Sequence, residues 1–278
     1  MDYSDVAICL LSAVLHAGWN AAVKANRSPT QAMTAQMVLS ALIVLPGFYW
    51  TGLPNSAAWP WIAASTLTNI VTVLALLRAY ELGGFGSVYP VVRAVAVLLV
   101  VPMAALLTGD RLGLGAIGGV LIIAVALGVL AYDASRDKVV PLAALGWTLA
   151  AGVGTAVYIL CDARGVRAGG SALSYGFAVS ITNAAAMCWR QRALGPPWGH
   201  VASRWKMAVP TAMASVASYL LILWVWGHAP IAPSAALRDT SAVFAILIAV
   251  IWLKEAFTIR RIAAVILAAA AVPLLRLG

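Results

Sequence analysis

Apolar positions along this chain come in long unbroken runs, with polar residues mostly confined to the gaps. Ten such runs lie at 6–24, 31–50, 58–82, 85–108, 113–132, 142–163, 172–190, 206–227, 232–253 and 260–277. A run of roughly 20 apolar residues crosses the roughly 30 Å of hydrocarbon in a bilayer as a helix. Lipid offers backbone amides no partner, so each must be bonded within its own segment, which selects helices. A barrel would need short alternating strands instead. The pattern therefore predicts an all-α integral membrane protein with ten transmembrane helices. The gaps are short, and the longest, 191–205, holds Gly195-Pro196-Pro197. None is large enough for a soluble domain, and no Gly-rich loop ending in Lys-Ser/Thr supplies a nucleotide site.

Composition strengthens this reading. Apolar residues make up 63% of the 278, charged residues only 10%, and the mean hydropathy is +0.95. Soluble domains carry about 25% charged residues. The net charge of +9 would suggest nucleic acid in a soluble protein, but no basic face or nucleic-acid motif is present. The positive charge fits cytoplasmic loops instead. With the N-terminus on one side, the opposite side gathers Lys24, Arg27, Arg78, Arg136, Lys138, Arg190, Arg192, Arg204, Lys206, Lys254, Arg260 and Arg261. The N-terminal side holds Arg111, Arg164, Arg167 and Arg276. This asymmetry predicts an inner (plasma) membrane protein with both termini outside the cytoplasm. Trp50, Trp59, Trp147, Trp189, Trp205 and Trp252 fall near run ends, as an aromatic belt does. Cys9, Cys161 and Cys188 are isolated within apolar runs and read as small buried hydrophobes, not metal ligands. The acidic start, Asp2 and Asp5, lacks a signal peptide's basic region, so the first run reads as a retained helix.

The chain also resembles itself. Shifted by 145 residues, Arg93 falls on Arg238, Asp110 on Glu255, Leu76 on Leu221 and Ile117 on Ile262. The charged matches carry the weight, since charges inside runs are rare. The first two runs of each half need a different offset, so the similarity is partial. It predicts two five-helix repeats, 1–139 and 140–278. An odd number of spans makes the second copy enter from the opposite face, and such inverted repeats hold a shared site near the midplane. Gly115 and Gly119 in the fifth run, with Ala264 and Ala268 in the tenth, form small-residue ridges for close helix packing. They hold either the two repeats or two copies of the chain together; a monomer suffices.

Polar residues inside the runs share helical faces. Ser12, His16, Trp19 and Asn20 do so in the first, and Ser65, Asn69, Thr72 and Leu76 in the third, leading towards Tyr80. Trp147, Ala151, Thr155, Tyr158 and Asp162 do so in the sixth, and Thr211, Ser215, Ser218 and Ile222 in the eighth. Such groups face either an aqueous cavity or partners on neighbouring helices, and hydroxyls also bond back to their own helix. Arg93 and Arg238 lie near the starts of their runs. They either snorkel to the interface or face a vestibule, and the repeat sets them on opposite sides of the membrane. Asp239 points away from Arg238 towards another helix. The predicted substrate site is a cavity between the repeats lined by Ser12, His16, Trp19, Asn20, Asn69, Tyr80, Tyr158, Ser218 and Arg238.

The five-plus-five plan, the acidic residues closing the fourth and ninth runs (Gly109-Asp110 and Lys254-Glu255) and the Leu-His-Ala-Gly-Trp-Asn stretch of the first run resemble the drug/metabolite transporter superfamily. Within it the ten-helix EamA-type members are most similar, and among those the amino-acid exporters of the YddG type. The family pattern at the two run ends is usually Gly-Glu, from which both copies depart. The resemblance covers nearly the whole chain and implies export of small metabolites, amino acids including aromatic ones. No carboxylate lies in the first run after Asp5, so the glutamate that small cation exporters of the superfamily use for proton exchange is missing. A neutral or zwitterionic solute is expected, with either facilitated diffusion or coupling through a group such as His16. Uptake is the alternative direction. A channel lacks a filter motif, and an intramembrane enzyme lacks clustered acids or histidines, since His16, His200 and His228 are scattered. No catalysis, cofactor or metal is expected; the partners are a small-molecule substrate and the lipid bilayer, without nucleic acid.

Overall fold

A computed structural model describes residues 1–83, 85–108, 113–136, 141–253 and 258–277. All regular structure among them is helical. In chain order the helices are α1 (Tyr3–Lys24), α2 (Pro29–Val44), α3 (Phe48–Thr51), α4 (Trp59–Gly83), α5 (Phe85–Thr108), α6 (Leu114–Ser135), α7 (Leu142–Gly169), α8 (Ala172–Arg190), α9 (Pro197–Trp226), α10 (Ile231–Asp239), α11 (Ser241–Leu253) and α12 (Ile259–Leu277). Helix covers every run read from the sequence. Eight stretches among the described residues are long and apolar enough to cross a membrane. Of the other two long helices, α12 carries Arg260, Arg261 and Arg276, and α8 is lined with hydroxyls and Asn183. Asp110, Lys254 and Glu255, on which part of the repeat argument rests, lie outside the described residues.

Three local features differ from the simple run pattern, each for a physical reason. Pro46 removes a backbone donor, so α2 tightens into a 3₁₀ turn at Leu45–Gly47 before α3. The expected 191–205 loop is mostly helix, because Pro197 sits in the first turn of α9, where its missing N–H costs nothing. The ninth run is divided at Thr240. The Thr240 hydroxyl donates to the Leu237 carbonyl at 2.6 Å, and the Thr240 amide takes the same acceptor at 3.3 Å. These local bonds replace the regular ladder at that point.

The strongest packing between the halves of the chain joins α4 with α7, α6 with α12, α1 and α2 with α9, α2 with α8, α4 with α8, α5 with α7, and α1 with α10 and α11. Numbering the ten runs in order, these contacts survive exchange of the first five for the second five, whereas the strong packing of α5 on α6 within the first half has only a weak counterpart among the described residues of α10, α11 and α12. Glycines permit the tightest approaches. A side chain on Gly119 would meet Leu275 of α12 at 2.7 Å, and one on Gly152 of α7 would meet Val95 of α5 at 2.6 Å. The α6–α12 contact is where the two small-residue ridges lie, with Ala264 and Ala268 buried.

The bundle has two distinguishable ends. At one, the N-terminal amine of Met1 donates to the Arg276 carbonyl at 3.3 Å, and His228 meets Asp5 at 2.9 Å. Arg167 there closes the end of α9 by donating to the carbonyls of Trp226 and Ala229 at 3.0 and 2.9 Å. At the other end Arg204 donates to Gln31 at 2.5 Å. Leu67, Val71, Leu121 and Val125 stay exposed on the outside of the helices, as lipid-facing residues would. Trp50, Trp189, Trp198 and Trp205 are also exposed, 57–76%.

Candidate functional site: a buried polar cavity

A cavity of about 140 Å³ lies inside the bundle, room for roughly five waters. Its wall comes from eight helices. α1 gives His16, Trp19 and Asn20; α2 gives Met33, Gln36, Met37 and Ser40; α4 gives Asn69, Thr72, Val73 and Leu76. Tyr89, Val92 and Arg93 of α5, Thr155 and Tyr158 of α7, Ser180 and Asn183 of α8, and Ser215, Val216 and Tyr219 of α9 complete it with Arg238 of α10. In α1 these residues fall in the half nearer Lys24, and in α2 and α4 they lie about the middle of each helix. The cavity therefore lies near the middle of the bundle, on the Lys24 side of Ser12.

A charged array forms one side. Arg93 donates to Asp239 at 3.0 Å, with both side chains almost fully buried. Its other terminal nitrogen meets Nε2 of His16, while Nη2 of Arg238 lies 3.3 Å from Nδ1 of the same ring. The guanidiniums of Arg93 and Arg238 are also 5.0 Å from the Tyr89 ring and 5.8 Å from the Trp226 ring. The expectation that the repeat keeps the two arginines on opposite sides, or that they snorkel outwards, is corrected. They are 5% and 4% exposed and converge on one histidine, because α5 and α10 pack against each other. Asp239 does reach another helix, as the sequence suggests.

A second polar cluster lies between the cavity and the chain-end side. Asp162 accepts hydrogen bonds from Ser65 at 2.5 Å, Tyr175 at 3.1 Å and Tyr219 at 2.8 Å. A close approach makes it possible, since α7 carries Gly165 where the Tyr175 ring lies.

Of the nine residues predicted to line the cavity, six do: His16, Trp19, Asn20, Asn69, Tyr158 and Arg238. The other three are corrected. Ser12 and Ser218 are fully buried and bonded to each other across α1 and α9. Each hydroxyl spends its proton on the other residue's backbone carbonyl, and neither residue belongs to the cavity wall. Tyr80 lies a turn beyond Leu76, with the Lys24 ammonium 5.6 Å from its ring. Asn20 itself donates to the His16 carbonyl at 2.9 Å, so part of its bonding capacity is used within α1. Trp19 stands edge-on to His16 with centroids 5.1 Å apart. The second and seventh runs contribute wall residues that the reading missed. The signal was present: Gln36 and Asn183 are lone amides in apolar runs, as Asn20 and Asn69 are. Among the described residues no group of histidines, cysteines and acids is arranged to hold a metal.

No family model matches the chain, and no curated protein matches it. A crystal structure of a protein that carries no further description is similar, with a TM-score of 0.78 and 15% identity, over 100% of this chain and 98% of that one. At that identity the likeness concerns the fold alone.

Proposed function

We propose that this chain is a secondary membrane transporter that exports small metabolites, amino acids including aromatic ones, by alternating access through the cavity. The observation that carries the reading is the cavity itself: a space of about 140 Å³ lined by helices from both halves of an apolar chain, with arginine, histidine and amide side chains in its wall. Hydrocarbon leaves polar groups unpaired at a cost of several kcal/mol, so side chains such as these face water, a partner or a solute. Exchange of the first five helical runs for the second five preserves the strongest contacts between the halves, which supports ten spans in two inverted repeats. Transporters built this way hold the substrate between the copies. The drug/metabolite superfamily resemblance supports export as the direction, and the basic-residue asymmetry supports a plasma-membrane protein with both termini outside the cytoplasm.

The cavity wall suits a zwitterion with an apolar side chain. Arg238 and Trp19 present buried N–H groups without a hydrogen-bond partner among the described residues, and Asn183 an oxygen in the same condition. Tyr158, Leu76 and Val216 give apolar surface. The division of the ninth run at Thr240, beside Arg238 and Asp239, fits the discontinuous helices that form such sites. The test is flux of labelled amino acids and of an organic cation into liposomes containing the purified protein. Amino acids are expected to move, and Trp19→Ala or Tyr158→Ala to slow them at matched protein levels. Flux of the cation alone would overturn the substrate class, and wild-type flux in both variants would overturn the site.

A further inference from the structure

The cavity wall contains two guanidiniums, Arg93 and Arg238, and no carboxylate or ammonium group. One of the two is neutralised: Arg93 holds Asp239 at 3.0 Å. Arg238 is not. It is 4% exposed, and its Nε and Nη1 have no hydrogen-bond partner among the described residues. Its remaining nitrogen, Nη2, faces Nδ1 of His16 at 3.3 Å.

That last contact does not satisfy it. A guanidinium only donates, and a neutral imidazole has one acceptor nitrogen and one N–H. Arg93 approaches Nε2 of His16 and Arg238 approaches Nδ1, so a neutral ring accepts from only one of the two guanidiniums. Nε and Nη1 of Arg238 stay unbonded among the described residues whichever ring nitrogen carries the proton. A protonated His16 would only add to the positive charge. In either state Nε and Nη1 of Arg238 stay unbonded among the described residues, as does Oδ2 of the neighbouring Asp239, and leaving a buried guanidinium without acceptors is costly.

We propose that Arg238 is the docking point for an oxyanionic group on the substrate, a carboxylate or phosphonate, with its unbonded Nε and Nη1 as the donors. This assignment rests on the transporter reading and narrows it: an oxyanion is required, whatever else the solute carries. Arg93 and Asp239 act as positioning residues. Their ion pair holds Arg93 against the His16 ring, on whose other nitrogen Arg238 rests. A hydrogen-bonded charge pair of this kind changes affinity by about ten- to hundredfold.

The test uses the purified full-length protein in detergent, titrated calorimetrically with alanine, phenylalanine, their amides, their 1-aminophosphonate analogues and inorganic phosphate. Flux of the same solutes is followed in liposomes. The amino acids, the aminophosphonates or both are expected to bind and the amides not, and the preferred member of each pair tells carboxylate from phosphonate recognition. Arg238→Gln is expected to lower affinity about ten- to hundredfold, and Arg238→Lys to restore part of it. Arg238→Gln also removes an unpartnered buried charge, so the ligand-free melting temperature should hold or rise; a purely structural arginine would lower it. Amides that bind as tightly as acids, or wild-type affinity in Arg238→Gln, would overturn the oxyanion site. If liposomes still carry the amides, the transporter reading stands without it; if no probe binds or moves, both fall.

Discussion

Ser12 and Ser218 fasten α1 to α9 by a reciprocal bond: each hydroxyl donates to the other residue's backbone carbonyl, at 2.7 and 2.8 Å. Because both residues are fully buried, neither replacement gains water as a substitute partner. Ser12→Ala and Ser218→Ala are each expected to lower stability by about 0.6–2 kcal/mol. The double variant should lose less than the sum. A double-mutant cycle of thermal unfolding in detergent measures this, and substrate affinity should stay at the wild-type value in all three variants.

The Arg93–Asp239 pair behaves differently, since both members carry charge. Arg93→Gln or Asp239→Asn leaves the other charge stranded and is expected to destabilise by about 3–5 kcal/mol. The double neutral variant should recover much of that loss. Equal damage in the single and double variants would mean that the pair contributes through shape and not through charge.

Gly152 offers a steric test. Its added methyl would meet Cβ and Cγ1 of Val95 at 2.6 and 2.7 Å and the Val92 carbonyl at 3.2 Å. Those atoms sit close to the α5 backbone, so the helices must separate. Gly152→Ala should therefore lower stability by about 1–3 kcal/mol. Val92 and Arg93 belong to the cavity wall, so substrate affinity should fall as well. Gly146, which faces open space, is the control: Gly146→Ala should leave both properties unchanged.

Topology yields a fourth expectation. A reporter active only in the cytoplasm, fused after Gly278, should stay silent, and the same reporter inserted near Arg192 should be active. The reverse pattern would turn the molecule over in the membrane without altering its fold. The Met1–Arg276 contact predicts that an N-terminal fusion reports the same side as the C-terminal one.

The fold was legible because apolar runs of membrane length leave the backbone one structure to adopt, and helix covers each run. Boundaries were less legible where a proline changed meaning with context: Pro197 opens α9, whereas Pro46 narrows the end of α2. The site was partly legible. His16, Asn20 and Asn69 betray themselves as polar groups in apolar runs, but that rule does not separate a residue facing a solute from one facing a partner. Ser12 and Ser218 obey the same spacing as His16 and Ser215 and yet bond each other. The meeting of Arg93 and Arg238 at His16 depends on how α5 crosses α10, which no local pattern encodes.

The distribution of polar bonds along the bundle axis has a further consequence. Ser12 with Ser218, Asp162 with its three hydroxyl donors, His228 with Asp5 and Arg167 over the end of α9 all fall between the cavity and the meeting chain ends. The wall residues of α1, α2 and α4 fall on the other side of that barrier. The molecule resembles an airlock with its bolts drawn across a single door. On the proposed transport reading, a solute would enter from the Lys24 end, and releasing it at the opposite end would mean undoing a small set of named bonds.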